Sequence, residues 1–208
     1  MFKLFISTII LLFISSSKII SADIATQDTS KVIIDCNYTF KESIAGIDIP
    51  KKIKENLKLI NVQYYSFDGK IHQGQLLIHK DLVKDVEEIF KSIMSVKFPI
   101  AKVIPVVKYG WNDEKSMKDN NTSAFNYRIV ANTKALSSHS SGRAIDINPK
   151  LNPQIKRNHY FPRGSKYEPT RKGTITKNSL LVKEFLKHGW MWGGLWHSTK
   201  DYQHFEKK

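Results

Sequence analysis

The sequence predicts one domain that mixes strands with helices, and three observations carry that expectation. The chain has 208 residues, a length that suits a single core once an export signal is removed. Two β-prone runs flank an Asp68-Gly69 turn signal. Two further segments repeat apolar residues at helical spacing.

Taken in order, Met1, Phe2 and Lys3 precede an apolar run from Leu4 to Ile14, and Ile20-Ser21-Ala22 forms a small-residue cleavage site. Residues 1–22 are therefore expected to be a signal peptide, and the mature protein to be exported, periplasmic or secreted. The run is short for a bilayer span, so membrane anchoring is expected only if the signal stays uncleaved. Residues 23–44 are polar around one β-prone run, Val32-Ile33-Ile34, and are expected to form a flexible lead-in. The working domain is expected over residues 45–208. Within it, Leu57 to Phe67 reads as a strand and Ile71 to Ile78 as its antiparallel hairpin partner. Asp81 is placed to cap a helix in which Leu82, Val86, Ile89, Phe90 and Ile93 share one face. Val103 to Val107 reads as a short strand at a sheet edge, because Pro105 has no N–H to donate. Residues 110–126 carry several Asp and Asn residues and read as a surface loop of the kind that often holds function. Ser179 caps a second helix through Leu180, Leu181, Phe185 and Leu186, with Gly189 as its stop.

The formal charge of +14 favours polyanionic surroundings such as nucleic acid, anionic lipid or an acidic wall polymer. The lysines spread from Lys31 to Lys208 as a solvated basic surface would, and export favours wall or membrane over nucleic acid. Cys36 is the only cysteine, which excludes an internal disulfide and any cysteine-rich zinc site.

The chemistry concentrates in two segments. In SSHSSGRAIDINP, Ser137 to Pro149, His139 and Asp146 stand seven apart around Gly142. A turn at the glycine would let an imidazole from a loop and a carboxylate from the next strand converge on one ion. Ala144 and Asp146 share one face of that strand, and Arg143 points to the other. A carboxylate on a buried face would cost several kcal/mol, roughly, without a cation or hydrogen bonds, so a metal is a sensible partner. In HGWMWGGLWHSTKDYQHFE, His188 to Glu206, Asp201 and His204 stand three apart. Those positions face opposite ways on an ideal strand, so a bend near Tyr202 or Gln203 is required.

Both segments resemble the zinc-binding motifs of the D-alanyl-D-alanine metallopeptidases, a family that includes L-alanyl-D-glutamate endopeptidases. The likeness consists of S-x-H-x-x-G-x-A-x-D at Ser137 to Asp146, then G-W-x-W-G-G-x-W, then D-x-x-H-F-E at Asp201 to Glu206, with Phe98-Pro99-Ile100 and Thr122 to Arg128 as upstream landmarks. It covers roughly residues 45 to 206. The resemblance implies a compact α+β domain, hedgehog-like, with a central antiparallel sheet flanked by helices. It implies Zn2+ held by His139, Asp146 and His204, with Asp201 as general base and Arg128 stabilising charge on the scissile carbonyl oxygen. Trp196 and Ser138 are the expected substrate contacts. The implied substrate is a peptidoglycan stem peptide, cut by a monomer at a D-Ala-D-Ala or an L-Ala-D-Glu bond, without nucleic acid. The alternatives are a non-catalytic, zinc-stabilised wall-binding module of the same fold and a secreted metal-dependent nuclease suggested only by the charge and the histidine count. His72, His79, His159, His188 and His197 are expected at the surface or at helix ends, with His197 close enough to Asp201 in sequence to orient substrate.

Overall fold

A computed structural model describes residues 31–130 and 133–208; the expected signal peptide lies outside the described residues. Ile33–Ile34 (β1) is followed by the one-turn helices Phe40–Ser43 (α1) and Lys51–Lys54 (α2). Leu57–Tyr65 (β2) and Ile71–His79 (β3) then pair antiparallel in unbroken register from Leu57 opposite His79 to Tyr65 opposite Ile71. This is the hairpin that the two β-prone runs predict.

From residue 31 on, the lead-in is held where a loose attachment was expected; residues 23–30 lie outside the described residues. β1 pairs parallel with β3, the Asp35 carboxylate accepts from the Tyr64 hydroxyl and lies 2.9 Å from His72 Nδ1, and Tyr38 N donates to Gln75 Oε1 at 2.7 Å. Polar side chains supply the partners that a polar segment needs to dock.

After a 3-10 turn over Lys80–Leu82, the helix Val83–Ser95 (α3) buries Val86, Ile89, Phe90 and Ile93. Asp81 does not cap this helix, which starts without a side-chain cap. The intervening turn displaces Asp81, and its carboxylate accepts from Arg143 Nη2 at 3.2 Å. The next strand, Lys102–Val103 (β4), is shorter than expected, because Pro105 opens a 3-10 turn over Val106–Tyr109.

Residues 110–126 are not a surface loop. They form the helix Asp113–Lys118 (α4) and the strand Asn121–Thr122 (β5), which pairs parallel with β4. Asn121 through Asn126 are buried, and the reason is that their polar groups find partners. Asn121 Oδ1 accepts from Ile104 N at 2.9 Å and its Nδ2 donates to Ile104 O at 2.8 Å, standing in for a strand neighbour.

The C-terminal half uses strands of two or three residues: Ala144–Asp146 (β6), Gln154–Lys156 (β7), His159–Phe161 (β8), then, after the helix Leu180–Lys187 (α5), Met191–Trp192 (β9), Lys200–Asp201 (β10) and His204–Glu206 (β11). Ser179 Oγ accepts from Val182 N at the start of α5, and Gly189 follows its end at φ +76°, as the cap and stop residues predict. The α+β class holds. The single central antiparallel sheet does not: among the described residues the order is β1-β3-β2, β10-β7-β8, β6-β11-β9 and β4-β5 in four small sheets. Turns follow these strands too closely for any one sheet to extend across the molecule. One core nonetheless joins the halves, since Val62, Leu76, Ile78, Val86 and Ile89 belong to the same buried cluster as Ile145, Ile147, Phe185, Trp190, Trp192 and Phe205. Among the described residues, no helix is long and apolar enough to cross a membrane.

Candidate metal centre

His139 sits in a 3-10 turn, Ser138–Ser141, entered through Ser137, whose hydroxyl accepts from His139 N at 3.3 Å. The turn closes at Gly142 with φ +67°. A Cβ there would lie 2.7 Å from His79 N, so both conformation and space require glycine. His139 Nδ1 faces the carbonyl oxygen of Ala124 at 2.5 Å. A carbonyl only accepts, so Nδ1 carries the proton and Nε2 presents its lone pair.

Asp146 ends β6 and lies directly opposite His204 in the antiparallel pairing of β6 with β11. On the other side its N–H and carbonyl bond Ser123. Both faces of β6 are buried, where alternation suggested one. The expected opposition of Arg143 holds, with its guanidinium beside His79 and Asp81.

Two imidazoles and a carboxylate thus converge. His139 Nε2 is 3.2 Å from His204 Nδ1 and 3.3 Å from Asp146 Oδ2, and His204 Nδ1 is 2.9 Å from Asp146 Oδ1. A tetrahedral ion with bonds of about 2.0–2.1 Å needs donors about 3.3 Å apart. The donor set His139, Asp146 and His204 fits such an ion in both chemistry and spacing. The burial of Asp146 opposes its charge, but His139 and His204 outweigh that and hold the carboxyl well below the usual range. For His204, burial lowers the affinity for a proton, while Asp146 and Glu206 more than reverse it.

Sequence reasoning missed Glu206. His204 Nε2 donates to Glu206 Oε2 at 3.3 Å, which fixes the ring with Nδ1 toward Asp146. The hydrogen bond from His204 lowers the Glu206 carboxyl to about 2 against opposing burial, with Ser138 assisting. The signal was present, since alternate residues of a strand share a face and Glu206 follows His204 by two.

Asp201 reaches the same centre because the chain bends at Tyr202–Gln203 between β10 and β11, meeting the requirement derived from the spacing. Gln154 Nε2 donates to Asp201 Oδ2 at 2.6 Å, while buried Oδ1 has no hydrogen-bond partner. Burial pushes the Asp201 carboxyl up to about 6; His204 opposes this and Asp146 adds to it. Nothing in the sequence pointed to Gln154, which lies directly opposite Asp201 in the antiparallel pairing of β7 with β10.

These groups open onto a cleft of about 990 Å³, whose walls also include Arg128, Ser138 and Trp196. Arg128 Nη2 is 3.0 Å from Asp113 Oδ2, and its buried Nε has no partner. Ser140 Oγ donates to Arg128 O at 2.6 Å and accepts from Arg128 N at 2.9 Å, seating that segment against the His139 turn. The ring of Trp196 is centred 5.4 Å from that of His204. Trp190 and Trp192 are core. His159 is at the surface, as expected, and lines the cleft, whereas His197 does not line it.

Residues 131–207 match the sequence model of a family described as D-alanyl-D-alanine carboxypeptidase. No curated protein and no solved structure matches the chain. The matched segment contains His139, Asp146, Asp201 and His204, with Arg128 just upstream. The segment that carries the whole donor set is therefore similar to the D-alanyl-D-alanine carboxypeptidase family.

Proposed function

We propose that the protein is an exported zinc peptidase that hydrolyses an amide bond in peptidoglycan stem peptides, of D-alanyl-D-alanine carboxypeptidase or L-alanyl-D-glutamate endopeptidase type. The observation that carries the reading is the pairing of a three-donor centre with a separate, buried carboxylate that shares its cleft. Three protein donors suit a catalytic ion, which keeps a position open, better than a structural one.

His139, Asp146 and His204 would hold the zinc. When bound, zinc supplies a Lewis acid that polarises the scissile carbonyl and makes water a better nucleophile. Asp201 accepts a proton from the attacking water through Oδ1, the oxygen that Gln154 leaves open. A carboxyl raised to about 6 is matched to proton transfer near neutral pH, taking the proton and then returning it to the leaving amine. Arg128 offers its unpaired Nε to negative charge on the carbonyl oxygen. Trp196 forms an apolar wall, and Ser138 is the polar contact beside Glu206. In this reading the protein acts as a monomer on the wall after its signal is removed, and the basic surface keeps it near anionic polymer.

Purified peptidoglycan incubated with zinc-loaded protein should yield shortened stem peptides by mass spectrometry, and the fragment masses identify the bond. A chelator or Asp201→Ala should abolish the products. Unchanged muropeptides from fully zinc-loaded protein would end the reading.

A further inference from the structure

The hairpin β7–β8 presents a single face to the cleft. Strand alternation and the pairing of Gln154 with Phe161 and of Lys156 with His159 put these four side chains on one side of the ribbon. All four line the cleft, as does Arg157 at the turn, whereas Ile155 and Tyr160, on the other side, do not. The same face therefore carries Gln154, which holds Asp201, and Lys156 two residues further on, about 7 Å along the strand.

The cations at this end of the cleft are not spoken for. Arg128 is paired with Asp113, and the acidic groups Asp146, Asp201 and Glu206 are engaged around the two histidines. Among the described residues, Lys156 and Arg157 make no salt bridge. The turn is built at a cost. Arg157 and Asn158 have φ of 48° and 62°, the doubly left-handed geometry of a two-residue hairpin that glycine or asparagine ordinarily fills at its first position. An arginine there lines the cleft from a backbone that disfavours it.

We infer that Lys156 and Arg157 on the β7–β8 hairpin form an anion-recognition arm, which binds a carboxylate of the substrate peptide close to the bond being cut. The inference rests on the peptidase reading for the identity of that peptide. A stem pentapeptide, L-Ala-D-isoGlu-L-Lys-D-Ala-D-Ala, offers two such carboxylates, the α-carboxylate of the isoglutamate and the terminal one. Both bonds considered above lie beside one of them. The carboxylate the arm takes would set which bond reaches Asp201.

The test is a calorimetric titration of the full-length, zinc-loaded Asp201→Ala chain with this pentapeptide, its isoglutamine form and its C-terminal amide. One amidation should weaken binding about tenfold, the scale of one lost charge-assisted contact, and which one it is identifies the carboxylate. Adding Lys156→Gln and Arg157→Gly should erase the preference, with glycine keeping the turn's backbone comfortable. Removing two charges elsewhere, by Lys84→Gln and Lys91→Gln on α3, should leave it intact. Absence of binding, equal affinity for acid and amides, or a preference that survives the hairpin substitutions overturns the inference. A pentapeptide that wild-type protein binds with the preference but never cleaves would instead overturn the peptidase reading and leave the arm standing.

Discussion

The β2–β3 hairpin with α3 and the β6–β11 region solve different problems. In the first, nine-residue strands and a thirteen-residue helix bury apolar side chains at regular intervals, and contacts form between neighbours in sequence. In the second, a 3-10 turn and two three-residue strands bring three polar groups within reach of one another, and His139 and His204 come from positions 65 residues apart. The first region is held by apolar burial, which tolerates local adjustment. The second is held by turns and hydrogen bonds whose loss moves a ligand.

His139→Ala should separate the two regions most sharply. Zinc affinity is expected to fall more than about a hundredfold, read by competition with a chelator, while the unfolding of the metal-free protein changes little. Ile89→Ala should do the reverse. Ile89 is fully buried on α3, and truncation should cost about 2–5 kcal/mol in denaturant unfolding, with zinc stoichiometry kept in whatever remains folded.

That contrast also explains what was legible in the sequence. The hairpin and both main helices follow from periodicity because each is long enough to repeat. His139, Asp146, Asp201 and His204 were legible because the motifs quote them at fixed offsets. Gln154 and Asp113 were not, since each meets its partner through a separate short element, and no periodicity or spacing links them. Residues 110–126 read as exposed because Asn and Asp usually are, yet the buried Asn121 replaces backbone partners with its own amide. The many-sheet arrangement was hidden for a related reason: two-residue strands leave no alternation to detect.

A finer test lies at the support of the centre. Glu206→Gln keeps a hydrogen-bond acceptor but removes the charge facing His204 Nε2, so zinc affinity should drop about tenfold with stability nearly unchanged. An unaltered affinity would show that the β6–β11 pairing alone orients the ring.

The smallest effect belongs to the join between α3 and the C-terminus. Burial disfavours the Asp85 charge, but the hydrogen bond from Lys207 Nζ, at 2.7 Å, prevails and lowers its proton affinity. A carboxylate lowered on folding stabilises above its unfolded range, near 4, and that contribution disappears as pH falls through the folded value. Asp85→Asn should therefore lower stability by about 1 kcal/mol at neutral pH and progressively less in acid, measured as the difference in melting temperature between variant and parent across pH.

The glycine that closes the His139 turn bears on where this protein can be cut down. Gly142 O accepts from His79 N at 2.8 Å, so the last residue of β3 abuts the ligand-bearing turn, and the site strands share their core with β2, β3 and α3. The family match begins only at residue 131. A fragment trimmed to that match would keep all three candidate metal donors and lose the wall against which they are set. The minimal expressible unit therefore begins at or before Leu57, and insertions between the two parts will be tolerated only where they leave the Gly142 contact undisturbed.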